Sequence, residues 1–253
     1  MNRLKYDVYG ISDVGIKKEI NEDSFVYKVA DVNDNTAALF AVADGVGGLS
    51  EGDRASQTCI KRINLWWESE LSRYAAGNTD IDTGSLKEAI IDSNERVLKM
   101  SYDRGIRSGT TLTMLALLNK TAVIAHVGDS RCYRLRKNIL WHFNKLTTDH
   151  SCEKTKFVDG VTTVKNVLTD CVGFRQEFRL DMMTFDISDG DYYMLCSDGI
   201  YKTQSDSVIE DCIRHGKGDL KKICEDLVTG AKKNNETDNI SVIVAAVSSY
   251  NEA

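Results

Sequence analysis

Residues 40–56, FAVADGVGGLSEGDRAS, decide how this chain is read. An apolar run, Leu39 to Ala43, has the look of a buried strand, and it delivers a carboxylate, Asp44, at its end. Four of the next eight residues are glycine: Gly45, Gly47, Gly48 and Gly52. Asp-Gly is a favoured hairpin turn, and an Asp beside a strand often caps a turn through its own backbone. A hairpin, however, is followed at once by a second alternating strand. Here the segment beginning at Asp53 carries helical periodicity, with Ala55, Cys59, Ile63, Trp66 and Trp67 able to share one face. Asp44 therefore stands where the chain leaves a sheet.

The same arrangement recurs. Asp129 follows AVIAHVG, Asp198 follows YYMLCS, and Asp238 precedes NISVIVAAV at the opposite end of its strand. The pair Glu22-Asp23 lies just before SFVYKV. If these strands lie side by side, four or five carboxylates converge at one edge of the core. Such charges cannot all stay ionised at close range without neutralisation. Basic residues beside these motifs are few, with Arg131 the main exception. Hard divalent cations suit the problem, since Mg²⁺ and Mn²⁺ prefer carboxylate, carbonyl and water oxygens. The glycines after Asp44 then have a purpose, because a bare backbone lets the Gly45 carbonyl approach an ion.

Composition narrows the classes. The chain has 253 residues, 42% hydrophobic and 28% charged, which is ordinary for a globular protein with a sizeable core. A net charge of −6 with scattered Lys and Arg argues against nucleic-acid or anionic-membrane partners. The start, MNRLKYDVYG, lacks the apolar region of a signal peptide, and no apolar run reaches the roughly 18 residues of a membrane span. A cytoplasmic location is expected. Seven cysteines without a C-x-x-C pair, and four dispersed histidines, read as reduced structural thiols rather than a zinc site. There is no proline, which removes slow prolyl isomerisation from folding; no function follows from it.

Ten strand-like runs and four helical segments (53–74, 85–102, 206–215 and 220–235) come in groups rather than in strict alternation. That pattern predicts an α+β fold with sheets covered by helices, in one domain spanning 1–253.

Eight stretches of the chain resemble, in order, the metal-dependent protein phosphatases of the PP2C (PPM) family in their compact bacterial form. They are SDVGIKKEINEDSF (12–25), VADGVGGLSEGDRAS (42–56), SGTTLTML (108–115), HVGDSRCYRL (126–135), LTTDHS (146–151), LTDCVG (168–173), DGDYYMLCSDGIY (189–201) and ETDNISVIVA (236–245). DG-x-GG alone is a weak signal; eight motifs in order are specific. The resemblance implies an α-β-β-α sandwich of two antiparallel sheets between helices. It also implies hydrolysis of phosphoserine and phosphothreonine in proteins, opposing a serine/threonine kinase in signalling. By position, Asp44 would bridge two ions (Mn²⁺ or Mg²⁺) and the Gly45 carbonyl would bind one of them. Asp198 and Asp238 would complete the first site, Glu22 would hold the second through water, and Asp129 matches the acid of a third, weaker site. No protein nucleophile is then needed, because two ions about 3.5–4 Å apart activate water and stabilise charge on the phosphoryl oxygens.

Three departures from the family pattern stand out. Lys18 occupies the place of the arginine that binds the substrate phosphate, keeping the charge but losing the planar fork. Its alternative reading is a solvated surface charge. Val46 stands where some members have a proton-donating histidine, which leaves a metal-bound water or His150 as candidate donors, with a structural role the simpler reading of His150. Between TTDHS and LTDCVG only CEKTKFVDGVTTVKNV remains of the usual flap, and Asp170 replaces a common arginine. A cut-down flap is expected to leave the ions open and to favour small or flexible phosphoesters. The competing readings are a catalytically silent PP2C-like binding module, a phosphoesterase for small or nucleotide substrates, and a structural protein whose Asp-Gly pairs are turns.

Overall fold

The computed structural model describes residues 3–33, 35–46, 49–158 and 161–250, with the side chains of 156–158 and 161–165 excepted. Gly47 and Gly48 of the opening stretch lie outside the described residues.

Strand β3 (Asn35–Ala43) sits inside the molecule and is buried on both faces. Alternation along it splits the apolar run in two. Ala37, Leu39, Ala41 and Ala43 face one hydrophobic layer, whereas Ala38, Phe40 and Val42 face another. This explains a run of apolar residues with no polar alternation: each neighbour has its own core to fill. Burying a side chain the size of Phe40 stabilises the fold by roughly 2–3 kcal/mol.

Four layers of secondary structure result, with three hydrophobic cores between them. Strands β2 (Ser24–Val32), β3, β4 (Leu112–Leu118), β5 (Thr121–Val127) and β10 (Asp181–Asp186) form one sheet in the order β10-β5-β4-β3-β2. Strands β1 (Leu4–Asp13), β6 (Arg131–Lys137), β7 (Trp141–Lys145), β11 (Tyr192–Cys196) and β12 (Ile240–Ser249) form the second, in the order β1-β12-β11-β6-β7. Neighbours in both sheets are antiparallel. Phe40, Leu115, Tyr193 and Ile243 meet between the sheets. Outside the first sheet lie α1 (Gly52–Ala75) and α2 (Thr83–Arg104), contributing Cys59, Ile63, Trp67 and Ile90 to the outer layer. Outside the second lie α4 (Asp206–His215) and α5 (Leu220–Lys233), packing Ile209, Ile223 and Leu227 on Val242 and Val244. The expected α-β-β-α sandwich is the observed fold.

Helix limits follow local chemistry. Asp82 caps α2 by accepting from the Gly84 and Ser85 amides at 3.0 and 3.1 Å, and Gly105 ends that helix in the left-handed conformation that glycine tolerates. All seven cysteines are unpaired. Among the described residues no helix is long and apolar enough to cross a membrane.

The structure departs from the sequence reading at the flap. Residues 151–168 form a hairpin, β8 (Ser151–Val158) with β9 (Val161–Leu168), which makes a two-stranded sheet of its own. The Asp159-Gly160 pair between the strands lies outside the described residues. β-Branched Val161, Thr162, Thr163 and Val164 favour the extended state, so a short segment still builds a wall.

Candidate active site

Asp44 is fixed through its backbone. Its amide donates to Thr111 Oγ1 at 2.9 Å, and its carbonyl accepts from the Thr111 amide at 2.8 Å and from Thr110 Oγ1 at 2.9 Å. Next to it, the Gly45 amide donates to the Glu22 carbonyl at 3.1 Å. A Cβ on Gly45 would stand 2.6–2.8 Å from backbone atoms of Gly52 and Glu22, and one on Gly52 would meet Glu22 Oε1 at 2.7 Å. The two glycines thus allow three backbone segments, around residues 22, 45 and 52, to close on one another.

The other acids arrive from different elements. Asp129 lies on the crossing from β5 in one sheet to β6 in the other, and its carbonyl accepts from the Tyr201 hydroxyl at 2.9 Å. Asp198 opens a short helical turn, α3 (Asp198–Tyr201), directly after β11. Asp238 sits ahead of β12, where its amide donates to Glu236 Oε1 at 3.0 Å. Asn239 ties this end to the loop before β2: its Nδ2 donates to the Val14 and Ile20 carbonyls, and its Oδ1 accepts from the Glu22 amide at 2.9 Å.

Asp44, Asp129, Asp198 and Asp238 line one cavity of about 450 Å³. Glu22 and Lys18 adjoin it. Lys18 Nζ stands 3.1 Å from Asp238 Oδ1 and 3.5 Å from Glu22 Oε2. None of the four acids turns a hairpin. Val46 also lines the cavity. His150 does not: it is buried between a 3.3 Å hydrogen bond from the Gly128 amide and Asp181 Oδ2 at 3.1 Å, in a structural role. Arg131 is engaged by Asp149, another acid of the cavity wall, with Nη2 2.7 Å from Oδ2, and stacks over Tyr201 at 3.5 Å.

Several participants had no role in the sequence reading, Asp23 being noted there only as the neighbour of Glu22. Asp23 is buried, accepts from Ser197 Oγ at 2.8 Å, and leaves its Oδ1 without a partner. Lys202, at the end of α3, pairs with Asp198 and reaches to 3.5 Å from Asp238 Oδ2. Its spacing of four residues from Asp198 on a helical turn was the available signal. The hairpin contributes Ser151, Asn166, Val167 and Leu168 to the cavity wall, which narrows the openness expected of a reduced flap. Asp170 is buried and accepts from Arg175 Nη2 at 2.6 Å, so its charge is met locally.

Electrostatics mark the cavity as short of positive charge. Burial, then the neighbouring Asp23, Asp198, Asp129 and Asp238, hold the Asp44 carboxyl well above its usual range. Burial pushes Asp198 up to about 7 against the pull of Lys202, and Asp23 up to about 6. Burial also raises Asp129. Asp238 goes the other way: burial is outweighed by Lys18 and Lys202, which keep it low.

The donor set fits divalent ions. It is all oxygen, it includes the buried and unpartnered Asp198 Oδ1, and it surrounds a cradle at Gly45 that any Cβ would fill. Among the described residues no three acidic, histidine or cysteine side chains stand close enough to grip one ion as they are placed, and Lys18 and Lys202 lie between the acids.

Residues 12–156 match the family model described as Protein phosphatase 2C. Protein phosphatase PhpP of Streptococcus pneumoniae is 30% identical over 251 residues, covering 94% of this chain and 96% of PhpP. Serine/threonine phosphatase stp of Listeria welshimeri is 28% identical over 221 residues, covering 84% and 85%. The solved structure of PppA, described as a key regulatory component of T6SS in Pseudomonas aeruginosa, matches with a TM-score of 0.75 at 27% identity, covering 97% of this chain and 98% of PppA. Fold, cavity and relatives together define a serine/threonine protein phosphatase. The chain belongs to the protein phosphatase 2C family.

Proposed function

We propose that this phosphatase hydrolyses phosphoserine and phosphothreonine by water activated at a pair of divalent ions, Mn²⁺ or Mg²⁺, held by the acid-lined cavity. The observation that carries the reading is the meeting of Asp44, Asp129, Asp198 and Asp238, from four separate parts of the chain, on one cavity wall. Asp44, Asp198, Asp238, Glu22 and the Gly45 carbonyl are the groups that would hold the pair, with Asp129 available to a third ion. When bound, the ions supply positive charge to the phosphoryl oxygens and make water a competent nucleophile near neutral pH.

The protein's own residues supply the rest. Thr111 and Thr110 fix Asp44 through its backbone, so the point from which its carboxylate reaches the cavity is set. Asn239 holds the Glu22 loop against the Asp238 end of β12. Lys18, at the cavity edge, offers a point charge to a substrate phosphate. Val46, Val167, Leu168 and Phe174 give the cavity an apolar side for the substrate's carbon atoms. Phosphorylated proteins are the substrates this reading requires, and a serine/threonine kinase is the enzyme it would oppose.

The deciding assay uses a phosphothreonine peptide and p-nitrophenyl phosphate, each with Mn²⁺ and with EDTA. Release of phosphate only with the ion is expected. Absence of turnover over a range of divalent ions would instead favour the silent binding module.

A further inference from the structure

Lys202 places its ammonium between two carboxylates that come from opposite directions. Asp198 leaves β11, Asp238 approaches β12, and the Lys202 Nζ pairs with Asp198 Oδ2 while standing 3.5 Å from Asp238 Oδ2. Lys18 takes the other Asp238 oxygen at 3.1 Å. Both oxygens of Asp238 therefore face protein cations, although Asp198 Oδ1 remains buried and unpartnered.

We propose that Lys202 is a tethered counter-ion, holding Asp198 and Asp238 together through one ammonium until a divalent ion displaces it. The inference rests on the metal-dependent reading above. Loading the centre is then an exchange of one cation for another rather than the filling of a bare acidic cavity. The exchange runs forward because a divalent ion carries twice the charge and accepts several oxygens in direct contact, whereas an ammonium carries one charge and three hydrogen-bond donors. It is also mechanically simple. The Lys202 side chain is 45% exposed, so it can swing into solvent without opening the core. Asp198 and Asp238, by contrast, are anchored by their backbones, Asp198 through Ser197, whose amide and hydroxyl bond Ser241, and Asp238 through Glu236. The arrangement trades affinity for order: it weakens ion binding but keeps the site assembled when no ion is present.

Lys202→Gln and Lys202→Met test this, with Mn²⁺ titrated calorimetrically into protein stripped by EDTA and dialysed, and thermal unfolding recorded in EDTA. Mn²⁺ should bind both variants about three- to tenfold more tightly than wild type, the range expected for losing a partly buried ion pair. Their unfolding midpoints in EDTA should fall, and Lys202→Arg should retain the weaker wild-type affinity. Unchanged or weaker Mn²⁺ binding by variants with native circular dichroism overturns the proposal while leaving the metal reading intact. Failure of the wild-type protein to bind any Mn²⁺ overturns both.

Discussion

Asp44 and Thr111 hold each other by two reciprocal hydrogen bonds, amide to hydroxyl at 2.9 Å and amide to carbonyl at 2.8 Å. The Asp44 backbone is thus secured independently of its carboxylate, which is free to serve the cavity. Asp44→Asn should keep a native circular dichroism spectrum and lose at least about a hundredfold in Mn²⁺-dependent turnover. Because Asp23, Asp198, Asp129 and Asp238 repel that carboxylate, the variant should also melt higher than wild type in EDTA. A calorimetric scan beside a rate assay checks both halves. Undiminished turnover would remove Asp44 from the chemistry.

Lys18 is the second test of the site. It bridges Asp238 and Glu22 with a point charge where a fork would grip two phosphate oxygens. Lys18→Arg should lower KM for a phosphothreonine peptide by a few-fold, with a smaller change in kcat. A KM that stays put or rises would show that Lys18 serves the acids alone.

Gly199 sets how closely α3 approaches β12. A Cβ there would stand 2.1 Å from the Asn239 carbonyl oxygen, which is backbone and cannot step aside. Gly199→Ala should destabilise the protein by about 2–4 kcal/mol and weaken Mn²⁺ binding, because Asp198 and Asp238 flank the point that must spread. Urea unfolding and ion titration of one preparation measure the two effects. A variant of wild-type stability would refute the packing account.

His126 gives the fold a pH dependence away from the cavity. Its ring is buried, bonded to Thr113 Oγ1 at 2.8 Å and to the Thr148 carbonyl at 3.1 Å, with His150, Asp181 and Asp149 nearby. Burial, aided by His150, pushes its pKa from 6.5 down to about 4. The unfolded chain therefore takes up this proton first. Stability from neutral His126 is complete above pH 6.5 and drains away as the pH falls toward 4, by about 3 kcal/mol. His126→Gln should flatten that part of the stability profile in urea titrations between pH 7 and 4. An unchanged profile would mean that other groups govern the acid limb.

Much of the site was legible because its acids sit at strand ends, where an apolar run names the strand and the next residue is the carboxylate. Asp44, Asp129 and Asp198 all announce themselves in this way. The helices were legible too: the face formed by Ala55, Cys59, Ile63, Trp66 and Trp67 is buried as its spacing predicts. The β8–β9 hairpin was not, because its strands pair only with each other and its first half, SCEKTKF, shows no alternation that a core would impose. Lys202 was missed for a different reason. Its proximity to Asp238 joins residues on separate segments, the end cap of α3 and the loop before β12, and nothing in either local sequence implies the contact. Asp23 was passed over beside Glu22, since only burial distinguishes two adjacent acids.

Strand β1 pairs with β12 from Leu4 opposite Ser249 to Asp13 opposite Ile240, and Asn239 receives the Glu22 amide across 217 positions of sequence. During synthesis, the early residues must wait for the late ones. On the proposed reading, a nascent polypeptide still lacking Asp238 would lack one of the groups that hold the ion pair, so activity would wait for the last part of the chain. The strand that joins β1 to the rest of its sheet is thus also the one that brings the last acid to the cavity.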